Sequence, residues 1–179
     1  MTVAAGTRLV LRRLESADVT AEYQRWMNDP EINQFLESRF VPITMESLHE
    51  YVARFRDDPA NVLLAIRERD GDRHVGNIKI GPIDRHHDVA EVGLVIGAKD
   101  CWGRGYATEA IGLASRYAFQ QLGLRRLTAG AYSTNIGSIR AFEKAGYSRE
   151  GVGRRHYRSA GGYADRVLLG LLADEAARQ

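Results

Sequence analysis

The sequence predicts an α+β fold with a mixed sheet, in one domain over residues 1–179. Three observations carry this. Short β-branched runs closed by turn residues are interspersed with apolar patterns spaced at three and four. Their order is a strand, then helices, then an antiparallel run of strands, then strand–helix–strand–helix–strand. The length, 179 residues with 44% hydrophobic, suits one core and leaves too little chain for two domains of ordinary size.

Taken in order, Thr7–Leu14 reads as the first strand. Ser16 is a good N-cap for a helix that turns Val19, Tyr23, Trp26 and Met27 inward and stops at Asn28-Asp-Pro30. Glu31–Phe40 mixes a short helix with loop. A helix follows from Thr44 with Leu48, Val52 and Phe55 inward, ending before Pro59. Asn61–Arg69 and Arg73–Ile83 are two strands joined at Asp70-Gly-Asp72, a hairpin signal. After a polar turn at Arg85–Asp88, Ala90–Ile96 is a strand that leads into a glycine turn. A long helical face follows (Ala107, Ala110, Ile111, Ala114, Tyr117, Ala118, Leu122). Leu124–Ala131 is the next strand, Tyr132–Asn135 a crossing loop and Ile136–Ala145 a helix with Gly146 as its C′ residue. Tyr147–Tyr157 and Tyr163–Leu172 close the sheet around Ser159–Gly162, and Asp174–Gln179 reads as a solvated tail.

Composition excludes several classes. The net charge of +2 is too balanced to suggest nucleic-acid binding. No apolar run has the length of a membrane span, and none opens the chain like a signal peptide. The single cysteine, Cys101, allows no intrachain disulfide and fits a cytoplasmic protein. His86 and His87 are adjacent, so they diverge on a strand, and no cysteine cluster supports a metal site. Cys101 lacks a nearby histidine that would make it an acyl-carrying nucleophile. Trp26 and Trp102 read as packing anchors.

The chemistry concentrates in Gly93–Ala110, GLVIGAKDCWGRGYATEA. A strand, a glycine turn and a helix start are written in one line. The first amides of a helix have no intrahelical acceptors, and with the helix dipole they form an anion site. Gly103 and Gly105 let a phosphate approach the backbone, and Arg104 adds a fixed charge. This suits a diphosphate. It is not a P-loop, because no Gly-Lys-Ser/Thr follows. Nor does it complete the dinucleotide fingerprint, since Thr108 stands where the third glycine belongs.

Trp102–Ala107 resembles the coenzyme A loop of the GNAT N-acetyltransferases, Gln/Arg-x-x-Gly-x-Gly/Ala, with tryptophan in the first position. Asn135-Ile-Gly-Ser138 followed by AFEKAGY, and the Arg8–Arg13 strand followed by Trp26-Met-Asn-Asp-Pro30, are similar to the RimJ/RimL branch, the ribosomal-protein alanine N-acetyltransferases. Amino-sugar N-acetyltransferases share that look. The resemblance implies a sheet whose central parallel strands, here Ala90–Ile96 and Leu124–Ala131, splay around coenzyme A. It implies acetyl-CoA as donor, no metal, and a primary amine as acceptor: a protein N-terminus, an amino sugar or another small amine. It implies cofactor contacts from Val95, Ile96, Trp102, Gly103, Arg104, Gly105, Tyr106, Ala107, Thr108, Asn135 and Ser138. Glu91 is the candidate base. The tyrosine that many members use to protonate the thiolate corresponds to Phe142 here, so Ser138 is the candidate acid. Arg155 and Tyr157 are candidates for the acceptor channel. A homodimer is the default assembly. Loss of that tyrosine leaves one alternative, a non-catalytic acyl-CoA sensor.

Overall fold

A computed structural model describes residues 2–159 and 161–178. The strands are β1 (Thr2–Ala5), β2 (Leu9–Arg13), β3 (Val62–Glu68), β4 (His74–Asp84), β5 (Val89–Ile96), β6 (Arg126–Tyr132), β7 (Ser148–Ser159) and β8 (Gly162–Leu172). They form one sheet in the order β1-β2-β3-β4-β5-β6-β8-β7. Every neighbouring pair is antiparallel except β5 and β6, which run parallel. That pairing is short: Val89 faces Arg126, Ala90 faces Leu127 and Glu91 faces Thr128. Beyond Glu91 the two strands part, as expected for the splayed pair.

The helices are α1 (Ala21–Asn28), α2 (Pro30–Asn33), α3 (Met45–Arg56), α4 (Tyr106–Gln120), α5 (Ile136–Lys144) and α6 (Ala173–Ala176). α4 packs on β1, β2, β4 and β5 with α5 beside it, while α3 packs on β3 and α1. The Lys79 ammonium lies 5.7 Å from the centre of the Phe55 ring, so α3 covers the sheet face that carries Lys79. By strand alternation and register that face also carries Asn77, Glu91, Gly93 and Val95. The core is fully buried at Leu9, Leu11, Leu64, Ile66, Ile78 and Ile80 of the sheet and at Ile111 of α4.

Local chemistry explains most boundaries. Thr44 caps α3 in a reciprocal box with Ser47. Asn135 caps α5, and Gly146 follows its end at φ 95°. Four details differ from the sequence reading. Ser16 opens a separate 3-10 turn, Ser16–Asp18, and Thr20 is the cap of α1, accepting from the Tyr23 amide. The cause is Asp18, which accepts from the Glu15 amide and from Arg67 and so pins the turn before α1 starts. Pro30 both follows α1 and stands at the start of α2, with Asp29 as cap. β1 is too short and small-sided to show a period. The expected tail begins with α6, where Glu175 accepts from the Leu172 amide; Gln179, and Ala160 in the last turn, lie outside the described residues.

Candidate active site

Where β5 and β6 part, a cavity of about 990 Å³ runs between the sheet, the start of α4, α5 and the α1–α3 face. At its α4 end the chain turns through Gly103 (φ 71°) and Gly105 (φ 82°), left-handed values that favour glycine. Gly105 is the N-cap of α4 and no side chain caps the helix. The Glu109 amide bonds the Gly105 carbonyl, and the turn ahead of it lines the cavity through Gly103, Gly105, Tyr106, Ala107 and Thr108. This helix start is left without a side-chain cap and borders the cavity, which is the arrangement an anion needs.

Two neighbours hold the turn. The Trp102 indole donates to the Ile96 carbonyl at 2.8 Å, closing the loop onto the end of β5. Arg8, from β2's approach, donates to the Arg104 carbonyl at 2.6 Å and to Glu109 Oε2 at 2.9 Å. Glu109 Oε1 accepts from the Arg8 and Leu9 amides at 2.8 and 3.1 Å. Desolvation pushes the Glu109 carboxyl up, but these amides and the Arg8 guanidinium outweigh it and hold it below the usual range. A carboxylate beside a helix start would repel a phosphate, and here it is turned onto β2. Neither Arg8 nor Glu109 stood out in the sequence. Arg104 reaches back to the Asp100 carbonyl at 3.3 Å.

Glu91 sits at the apex of the parted strands, on the cavity wall. Its Oε1 accepts from Arg166 Nη2 at 2.8 Å. Arg166 belongs to β8 and reaches Glu91 across β6 at Gly130, where a Cβ would stand 2.2 Å from Arg166 Nε. The bare backbone of Gly130 is the notch in which the guanidinium lies. Val95 and Ile96 follow on the same wall.

From α5, Asn135, Ser138 and Phe142 line the cavity, with Arg140 and Lys144 beside them as cations that the sequence reading passed over. Asn135 Oδ1 accepts from the Ser138 amide at 3.1 Å. Phe142 is 2% exposed and meets Tyr147 edge-on at 5.0 Å. Tyr147 does not replace the missing acid: its hydroxyl is 3.0 Å from Ser115 on α4, and burial pushes the phenol up.

Tyr157 lines the far end of the cavity, stacked 3.9 Å from Tyr132. The Tyr132 hydroxyl is held by Arg39 at 2.7 Å and donates to Glu37 at 2.9 Å. Arg155 is not on this wall. The β7 register shifts between Gly153 and Tyr157, Arg155 takes φ 51°, and it lines a separate hollow with Arg154 and Asp165. Trp26 is an anchor as expected, 5% exposed and edge-on to His74 at 5.1 Å. Among the described residues no three histidine, cysteine or acidic side chains gather as a metal site, and no helix is long and apolar enough to cross a membrane.

A parallel pair parted over bare helix amides defines an acyl-coenzyme A transferase class. A family model described as an acetyltransferase (GNAT) domain matches residues 8–148, and the chain belongs to that family. It is an N-acetyltransferase enzyme. An uncharacterized N-acetyltransferase, p20, of Bacillus licheniformis is 29% identical over 175 residues, 95% of this chain and 96% of the relative. Among solved structures, spermidine N-acetyltransferase of Vibrio cholerae in complex with CoA and spermine superposes with a TM-score of 0.86 at 22% identity, over 96% of this chain and 99% of that one. Mycobacterium smegmatis RimJ in complex with CoA-disulfide gives 0.81 at 19% identity, over 95% and 87%. At these identities the superpositions speak for the fold.

Proposed function

We propose that the protein moves an acetyl group from acetyl-CoA to a primary amine by direct attack in a ternary complex, as a one-domain cytoplasmic enzyme of RimJ/RimL type. The observation that carries this is the pairing of β5 and β6, which ends at Glu91 and opens onto the uncapped start of α4. The pyrophosphate lies on the turn from Trp102 to Thr108 and the pantetheine arm runs past Val95, Ile96 and Asn135. The amine nitrogen attacks the thioester carbonyl carbon, the C–S bond breaks, and coenzyme A leaves as thiolate. Glu91, directly or through water, takes the proton the amine loses. Ser138 gives the thiolate a proton, since Phe142 has none to give. Backbone N–H groups of the unpaired part of β5 stabilise the oxyanion. Glu91 and Ser138 line one cavity, which supports this division of work.

The test is incubation with acetyl-CoA and a panel of amines, following free thiol. Amine-dependent thiol release is the expected result. Coenzyme A binding with no release for any amine would make the protein an acyl-CoA sensor, the reading that the phenylalanine at 142 favours.

A further inference from the structure

We propose that the acceptor carries a carboxylate or carbonyl oxygen on the carbon next to its amine, together with an apolar side chain, and that Lys79 binds that oxygen over the open floor at Gly93. This rests on the acetyl-transfer reading above and names its acceptor class: α-amino acids, free or at the start of a peptide.

The floor of the acceptor side is β5. Glu91, Gly93 and Val95 point to the same face, and Gly93 lies opposite Lys79 of β4. A Cβ at Gly93 would meet nothing within 4 Å, so the floor there is open space. Glu91 and Gly93 are about 7 Å apart along the strand; Glu91 is held on the β6 side by Arg166, and Lys79 stands opposite Gly93 on the β4 side. Both line the cavity. Among the described residues Lys79 has no carboxylate within ion-pair distance, and its ammonium rests on the Phe55 ring instead. Asn77, two residues along β4 on the same face, is 5% exposed, and its Nδ2 finds no acceptor in the protein. On this stretch of β4, Lys79 and Asn77 present donors that no carboxylate or carbonyl of the described residues takes.

The rest of the acceptor side fits the same substrate. Above the floor, Met27, Ile32, Leu48 and Tyr51 offer apolar surface. Of the acids on that wall, Glu31 is held by Lys99 at 2.6 Å and Glu37 accepts from Tyr132. Glu50 also lines that wall, four residues before Arg54 on α3. A polyamine would set a second ammonium beside the Lys79 cation, where like charges repel. An α-amino acid sets its amine toward Glu91 and its oxygen toward Lys79, leaving the side chain for the apolar wall.

The experiment uses the full chain, acetyl-CoA and thiol release with leucine, a leucine-initiated dipeptide, isopentylamine and spermidine. Leucine or its dipeptide is expected to exceed isopentylamine in kcat/KM by about 10- to 100-fold, the range of a charged hydrogen bond. Leucine above the dipeptide identifies a free amino acid; the reverse identifies a peptide terminus. Lys79→Met should erase most of that preference and Lys79→Arg should restore it, with calorimetric coenzyme A binding showing that both variants fold. Spermidine or isopentylamine equalling the oxygen-bearing amines, or a preference that survives Lys79→Met, overturns the proposal and leaves acetyl transfer standing. Thiol release with no amine at all overturns both.

Discussion

Glu91 has to accept a proton while bonded to a cation. Arg166 holds one oxygen, and the side chain keeps 43% of its surface exposed, so the second oxygen remains available to water or an amine. The pair is partly open to solvent, and its worth lies in orientation more than in stability. Glu91→Gln is expected to lower kcat/KM by about 10²–10⁴-fold and to flatten its pH dependence, while coenzyme A affinity is kept. A rate-versus-pH series on both enzymes checks this, and an unchanged profile would remove Glu91 from the reaction. Gly130→Ala tests the orientation itself. The new Cβ collides with the flexible end of Arg166 and not with backbone, so the guanidinium is displaced at little structural cost. The expected outcome is a fall of about tenfold in kcat with the melting temperature nearly kept, on the scale of one lost charged hydrogen bond. Full activity in that variant would show that Arg166 does not set the position of Glu91.

At the scale of elements, the start of α4 depends on β2. The helix carries an acid in its first turn, Glu109, which suits an isolated helix dipole but competes with a bound phosphate. Arg8 and two β2-side amides bind that acid and tie the Arg104 carbonyl, so the anion site is built by the contact of two elements far apart in sequence. Arg8→Ala should therefore weaken coenzyme A binding by about tenfold in titration calorimetry, in keeping with one charged hydrogen bond. Unaltered affinity would mean that the turn holds its shape alone. The sign of the pH effect follows from Glu109, whose carboxyl is held below its ordinary value of 4.5. Its stabilising contacts are complete above that value and are lost as the pH falls beneath it.

For the whole molecule, the joint between the α1 face and the sheet is aromatic. His74 lies edge-on to both Tyr23 and Trp26, and its Nε2 bonds Asn77 and the Gly76 carbonyl. Burial holds His74 below the ordinary 6.5. The unfolded chain then binds a proton more readily than the native one, so stability is full above 6.5 and declines as the pH drops through and below it. Urea midpoints measured between pH 8 and pH 5 should fall, and His74→Gln should have the shallower dependence. Equal slopes would place the acid sensitivity elsewhere.

Sequence alone determined the segments whose cause is local. The glycine turn before α4, the Thr44 and Asn135 caps and the alternation of strands with amphipathic helices depend on neighbours within a few residues, and they read directly. The parallel pair Ala90–Ile96 and Leu124–Ala131 comes from the family resemblance, and the helix between the two strands is the crossover such a pair requires. Tertiary structure decided what long range brings together. Arg166 meets Glu91 across 75 residues, and Arg8 meets Glu109 across 101, and no local pattern marks either partner. It also decided which way a side chain faces: the register shift in β7 turns Arg155 out and leaves Tyr157 on the cavity wall. Between Gly153 and Tyr157 β7 takes four steps where β8 takes two, with Arg155 at positive φ in the bulge, and a pattern of residue types cannot show where such extra residues fall.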